Sequence, residues 1–73
     1  MDVRSDINGA VWKIEVDVGD DVAADDVLVI LESMKMEVPV TAPAAGRVRA
    51  VLAQEGASVV EDQVLVVLDL APV

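Results

Sequence analysis

The sequence predicts an all-β domain made of two similar halves, packed as a flattened barrel or sandwich of two sheets. Three observations point there. Valine supplies 17 of the 73 residues, Phe and Tyr are absent, and Trp12 is the sole aromatic; branching at Cβ favours pleated strands over helices. The apolar runs are short and bounded by Gly, Pro and Asp, as strands are. The chain also repeats itself at an offset of 46 − 9 = 37 residues. Gly9-Ala10-Val11-Trp12-Lys13-Ile14 overlies Gly46-Arg47-Val48-Arg49-Ala50-Val51, Gly19 meets Gly56, Val22 meets Val59, and Val27 to Glu32 meets Val64 to Asp69. Neither half buries its apolar face alone, so both belong to one domain spanning residues 1–73.

Taken in order, Val3 and Ile7 lie before the first repeat and supply a strand that pairs late in the chain. Val11, Ile14 and Val16 face inward, as do their counterparts Val48, Val51 and Ala53. The step from Val11 to Ile14 breaks the alternation of a strand, which requires a bulge or twist near residues 12–13. Trp12 aligns with Arg49 and is therefore only partly buried. Gly19-Asp20 and Gly56-Ala57 are turns, where glycine adopts a left-handed conformation freely. Ala23 to Asp26 is too short for more than a loop or one helical turn, and Asp26 holds the place of Gln63. Val27 to Leu31 and Val38 to Thr41 are two extended runs with a short connection, hence a hairpin. Pro39 lacks an N–H and belongs on an edge strand or at an unpaired position. Ala42-Pro43-Ala44-Ala45-Gly46 turns the chain into its second half. Ala71-Pro72-Val73 is a loose end. A pseudo-twofold between the halves would put the hairpin tip and the two chain ends at opposite poles.

Composition removes several function classes. There are no cysteines and no histidines, so no disulfide, no thiolate metal site and no imidazole base. That argues against an enzyme acting alone. The net charge of −9 opposes binding to nucleic acid, which needs Lys and Arg clusters, and favours a soluble monomer. Met1-Asp2-Val3-Arg4 does not open a basic-then-apolar leader, and no apolar run is long enough to span a membrane. The expected setting is cytoplasmic. Asp20-Asp21 and Asp25-Asp26 lack the ligand spacing of a calcium loop and read as solvated turn residues.

The tip of the hairpin is where local and global signals disagree. Its two central residues need positive φ, which Asn-Gly or Asp-Gly would supply. The chain instead has Lys35 between Met34 and Met36, with Glu32 and Glu37 just beyond. Such a local conflict in an otherwise consistent sequence marks a place to look for function. An exposed lysine at a tip is ordinary, whereas two methionines flanking it are not. From the residues alone, a functional tip and a plain surface turn both stay open.

Glu32-Ser33-Met34-Lys35-Met36-Glu37 resembles the biotin-attachment motif of biotinyl, or biotin carboxyl carrier, domains, usually Ala-Met-Lys-Met. The surrounding Gly-x-Val and Gly-Asp-x-Val repeats match that family from about Ile7 to Leu70. Ser33 stands where many members have Ala, another small residue. The resemblance implies a flattened barrel of two four-stranded antiparallel sheets with quasi-twofold symmetry. It implies biotin joined covalently to Lys35, with Met34 and Met36 read by a biotin protein ligase. It further implies a carrier, not a catalyst, that shuttles a carboxyl group between a biotin carboxylase and a carboxyltransferase. Some members carry a protruding segment in the first half; Gly19 to Val27 is as short here as Gly56 to Val64, which leaves no room for it. The chain thus looks like a minimal free-standing carrier or a domain of a larger carboxylase. Lipoyl domains share the fold, but their sites typically read Asp-Lys-Ala. The remaining alternative is an unmodified β-sandwich interaction module. Glu32 and Glu37 would form a solvated rim, or meet basic patches on partners.

Overall fold

The computed structural model describes residues 1–71, and every described element is a strand. They are β1 Asp2–Arg4, β2 Gly9–Ile14, β3 Asp21–Val22, β4 Val27–Ser33, β5 Met36–Thr41, β6 Gly46–Val51, β7 Ser58–Val59 and β8 Val64–Leu70. Two four-stranded sheets result, ordered β1-β8-β6-β3 and β5-β4-β2-β7, with antiparallel pairing throughout.

The repeat governs this arrangement down to single hydrogen bonds. Adding 37 (46 − 9) to β2, β3 and β4 gives β6, β7 and β8, and β1 maps onto the last half of β5. Val11 pairs with Leu31 as Val48 pairs with Leu68, and Val3 pairs with Val66 as Val40 pairs with Val29. The expected bulge is present, with the register slipping between Val11 and Lys13 and again between Val48 and Ala50. Gly19 and Gly56 take φ of 95° and 85° in matching turns. The Asp26 carboxylate accepts the Ala23 N–H, and the Gln63 amide oxygen accepts the Val60 N–H. Turn-closing side chains of this kind hold the short β3 and β7 in place.

β4 and β8 fill the space between the sheets, each with two consecutive buried residues, Leu28-Val29 and Leu65-Val66, and a third, Leu31 or Leu68, two places on. Leu28, Leu31, Leu65 and Leu68 are fully buried, with Val11, Val29, Val48 and Val66 beside them. Each such side chain contributes about 1.5–3 kcal/mol by leaving water, which a chain this short needs. Ile14 and Val51 pack against this core from its margin, while Val16 and Ala53 are buried. Pro39 lies on β5, an edge strand, where its missing N–H leaves no gap in the ladder. Trp12 is 48% exposed, in keeping with its alignment to Arg49.

Three boundaries differ from expectation. Ile7 packs on the core but lies outside β1, because Ser5 turns the chain first. The buried Ser5 hydroxyl donates to the Ile7 carbonyl at 2.6 Å and accepts the Ile7 N–H at 3.2 Å, a local bond that competes with a ladder. Gly46 is the first residue of β6, not the last of the connecting turn. The hairpin ladder also runs further than its apolar residues, through Glu32–Glu37 to Ser33–Met36. At the chain ends, the Met1 ammonium donates to the Leu68 carbonyl, and the Ala71 N–H to that of Ala45. Of the expected loose end, Pro72 and Val73 lie outside the described residues, as does position 72, the repeat counterpart of Lys35.

Candidate functional site

The β4–β5 hairpin places Lys35. Ser33 pairs with Met36, so Met34 and Lys35 alone make the connection. A two-residue loop that follows the right-handed strand twist needs positive φ at both residues. Met34 and Lys35 comply, at 52° and 65°, although neither is a residue that favours it. The turn is fixed by the ladder on both sides, not by its own residues. The ladder is braced in turn by Leu31, fully buried between its partners Val11 and Val38. Below the tip, β2 approaches so closely that a Cβ on Gly9 would lie 2.5 Å from the Glu32 carbonyl oxygen.

The result is a projecting primary amine. Lys35 is exposed, Met34 is 93% exposed and Met36 66%. Among the described residues the ion pairs are Arg4–Asp2, Lys13–Glu15, Arg47–Asp21 and Arg49–Asp69, so Lys35 is held by none of them. Grooves of 410, 550 and 430 Å³ lie elsewhere on the surface, and neither Lys35 nor its two methionines line them. A site of this shape cannot enclose a small molecule; it can enter the pocket of another protein. The amine, once deprotonated, is a nucleophile toward an activated acyl group. The other lysine, Lys13, sits in β2 with its ammonium 3.5 Å from Glu15.

The hairpin register adds a feature that the residues alone did not reveal. Glu32 and Glu37 stand directly opposite one another, two residues from the turn. Counting outward from a two-residue loop would have found this pair. No described cluster of His, Cys, Asp or Glu could hold a metal ion. Asp20 accepts the Asp17 N–H, Asp26 closes its own turn and Asp21 bonds Arg47, so these acids have structural partners. That hydrogen bond, then the charge of Asp21, raises the Arg47 pKa.

Comparisons with known proteins bear on the family and the fold. The Biotin_lipoyl family model, described as biotin-requiring enzyme, matches residues 2–68. A biotin/lipoyl attachment protein of Bacillus subtilis is 41% identical over 93% of this chain and 93% of its own length. A Mycobacterium leprae homolog of biotinylated protein TB7.3 is 49% identical over 75% of this chain and 78% of its own. Among solved structures, a single-chain, multi-domain long-chain acyl-CoA carboxylase superposes with a TM-score of 0.92 at 32% identity, over 99% of this chain. The urea carboxylase of Kluyveromyces lactis gives 0.90 at 33% identity, over 94% of this chain. This chain spans only 7% and 6% of those two carboxylases.

Proposed function

The chain belongs to the biotin/lipoyl attachment family, and on that premise we propose that it is a biotin carboxyl carrier with its cofactor in amide linkage to Lys35. The observation that carries this reading is the exposed Lys35 amine, held on a two-residue turn between exposed methionines. In the attachment step the Lys35 nitrogen forms a bond to the activated carboxyl carbon of biotin, the leaving group departs with its electron pair, and the amine loses a proton. A biotin protein ligase provides the activation and the base. The fixed turn presents the amine in one direction, which lowers the ordering cost of that encounter. Met34 and Met36, unbranched and polarizable, adapt to the surface that reads them. Biotin, when bound, supplies the carboxyl-transfer chemistry between a biotin carboxylase and a carboxyltransferase in the cytoplasm; the protein supplies reach and direction.

Intact-mass and peptide analysis of protein purified from cells tests this. One biotin increment on the peptide containing Lys35, absent in Lys35→Arg, is the expected result. A guanidinium stays protonated and accepts no acyl group. A lipoyl increment, an unmodified Lys35, or biotin on Lys13 would overturn the assignment.

A further inference from the structure

The two halves share one backbone plan, so a difference between equivalent positions is not demanded by the fold. The sharpest difference lies on the outer face of the sheet that carries the tip. In the second half, Arg47 of β6 pairs across the ladder with Asp69 and bonds Asp21, and Arg49 reaches Asp69 at 3.7 Å. In the first half the positions of Arg47 and Arg49 are taken by Ala10 and Trp12, and that of Asp69 by Glu32. Glu32 thus loses both counterpart cations. It faces Glu37 instead, an arrangement of like charges that destabilises a sheet. Ile30 shares its face of β4 and pairs with exposed Pro39 on one side and Lys13 on the other. Among the described residues, Lys13 is the cation on the strands of this face, and its ammonium lies 3.5 Å from Glu15.

We propose that this face, centred on Trp12 and bounded by Ile30, Pro39, Glu32 and Glu37, docks an arginine-bearing surface of the enzyme that receives the loaded carrier. Two arguments set the occupant. Ala10 pairs with Glu32 and Trp12 follows two residues along β2, exposed, so the indole shares its outer face with a carboxylate that has no ion-pair partner among the described residues. A planar guanidinium stacks on an indole while it forks to a carboxylate, which an ammonium cannot do. The second argument is timing, and it rests on Lys35 being acylated. Before loading, Lys35 brings a positive charge to the tip, two residues from Glu37 and three from Glu32; amide formation removes that charge and makes the tip more acidic. The face therefore attracts a cationic partner more strongly after loading, which selects the receiving enzyme over the one that attaches the cofactor.

The test uses the carrier loaded with biotin, its loading confirmed by mass, with the biotin carboxylase of the same cell, ATP and bicarbonate. Trp12→Arg installs the residue that the other half has at this position. It is expected to leave the melting temperature unchanged and to lower kcat/KM for the carrier about tenfold through KM, with turnover of free biotin by the same enzyme unaffected. Trp12→Phe, which keeps an aromatic face, should retain most of the activity. Glu32→Gln with Glu37→Gln should match the loss and flatten the salt dependence. An unchanged KM in Trp12→Arg overturns the proposal, as does a loss confined to kcat. Nuclear magnetic resonance titration of loaded and unloaded carrier with the same enzyme gives a second readout. Shifts at Ala10, Trp12, Ile30 and Glu37, larger when loaded, support the docking face. Shifts limited to residues 33–36, or none in either form, overturn it. An unloaded Lys35 in cells would separately sink the carrier reading.

Discussion

Replacing Met34 by Asn and Lys35 by Gly should make the domain more stable while destroying its site. Both residues adopt left-handed φ, at 52° and 65°, which costs a residue with an ordinary side chain roughly 1–2 kcal/mol. Asn tolerates that region, so Met34→Asn should recover about 0.5–1 kcal/mol. Glycine has no such penalty but loses about 0.5–1 kcal/mol more backbone entropy on folding, so Lys35→Gly recovers about as much again. Neither side chain lends much packing, since Met34 is 93% exposed and Lys35 is also exposed. The expected sum is about 1–2 kcal/mol, or roughly 5–10 °C in melting temperature for a domain of this size. Calorimetry on wild type, both single variants and the double variant measures it. A double variant that melts at or below the wild type would refute the claim that the turn is held against local preference.

Other outcomes follow from the same geometry. Gly9→Ala should lose about 2–3 kcal/mol, because its Cβ would meet the Glu32 carbonyl oxygen, a backbone atom held in the ladder; chemical denaturation reads this directly. Leu31→Ala and Leu68→Ala should each cost about 3–5 kcal/mol and agree within about 1 kcal/mol, since both are fully buried at equivalent places. A large inequality between them would mean that the halves do not share one core. Met34→Leu with Met36→Leu should change stability by less than about 0.5 kcal/mol, as exposed positions do, yet slow labelling by the ligase.

Most of this architecture was legible because identical demands act at both ends of the repeat. Val11 and Val48, or Leu31 and Leu68, face the same interior, so the sequence states each inward position twice. The three-residue step from Val11 to Ile14 announced the bulge, and Trp12 was placed outward by its alignment with Arg49. Ile7 misled, since an apolar residue near a strand resembles part of it, and nothing apolar signals the turn that the Ser5 hydroxyl makes. The end of the hairpin was hidden for a related reason. Glu32, Ser33, Met36 and Glu37 carry no strand pattern, and their ladder is imposed by the packing of Leu31 below.

That imposed ladder explains how an unfavourable tip can persist. The turn residues contribute strain, and the Glu32–Glu37 pair contributes repulsion, so the last two rungs of the hairpin do not stabilise themselves. They are carried by the buried rungs beneath, where Leu31 and Val29 lie fully out of water. The cost of two strained residues, about 2–4 kcal/mol at most, is of the size that one or two buried leucines offset. Because the core is set by positions the two halves share, the tip residues are free to meet demands other than folding. Met34, Lys35 and Met36 have exposed side chains and oppose the local preference of their turn, which is the combination expected where a partner, and not the fold, has chosen the residues.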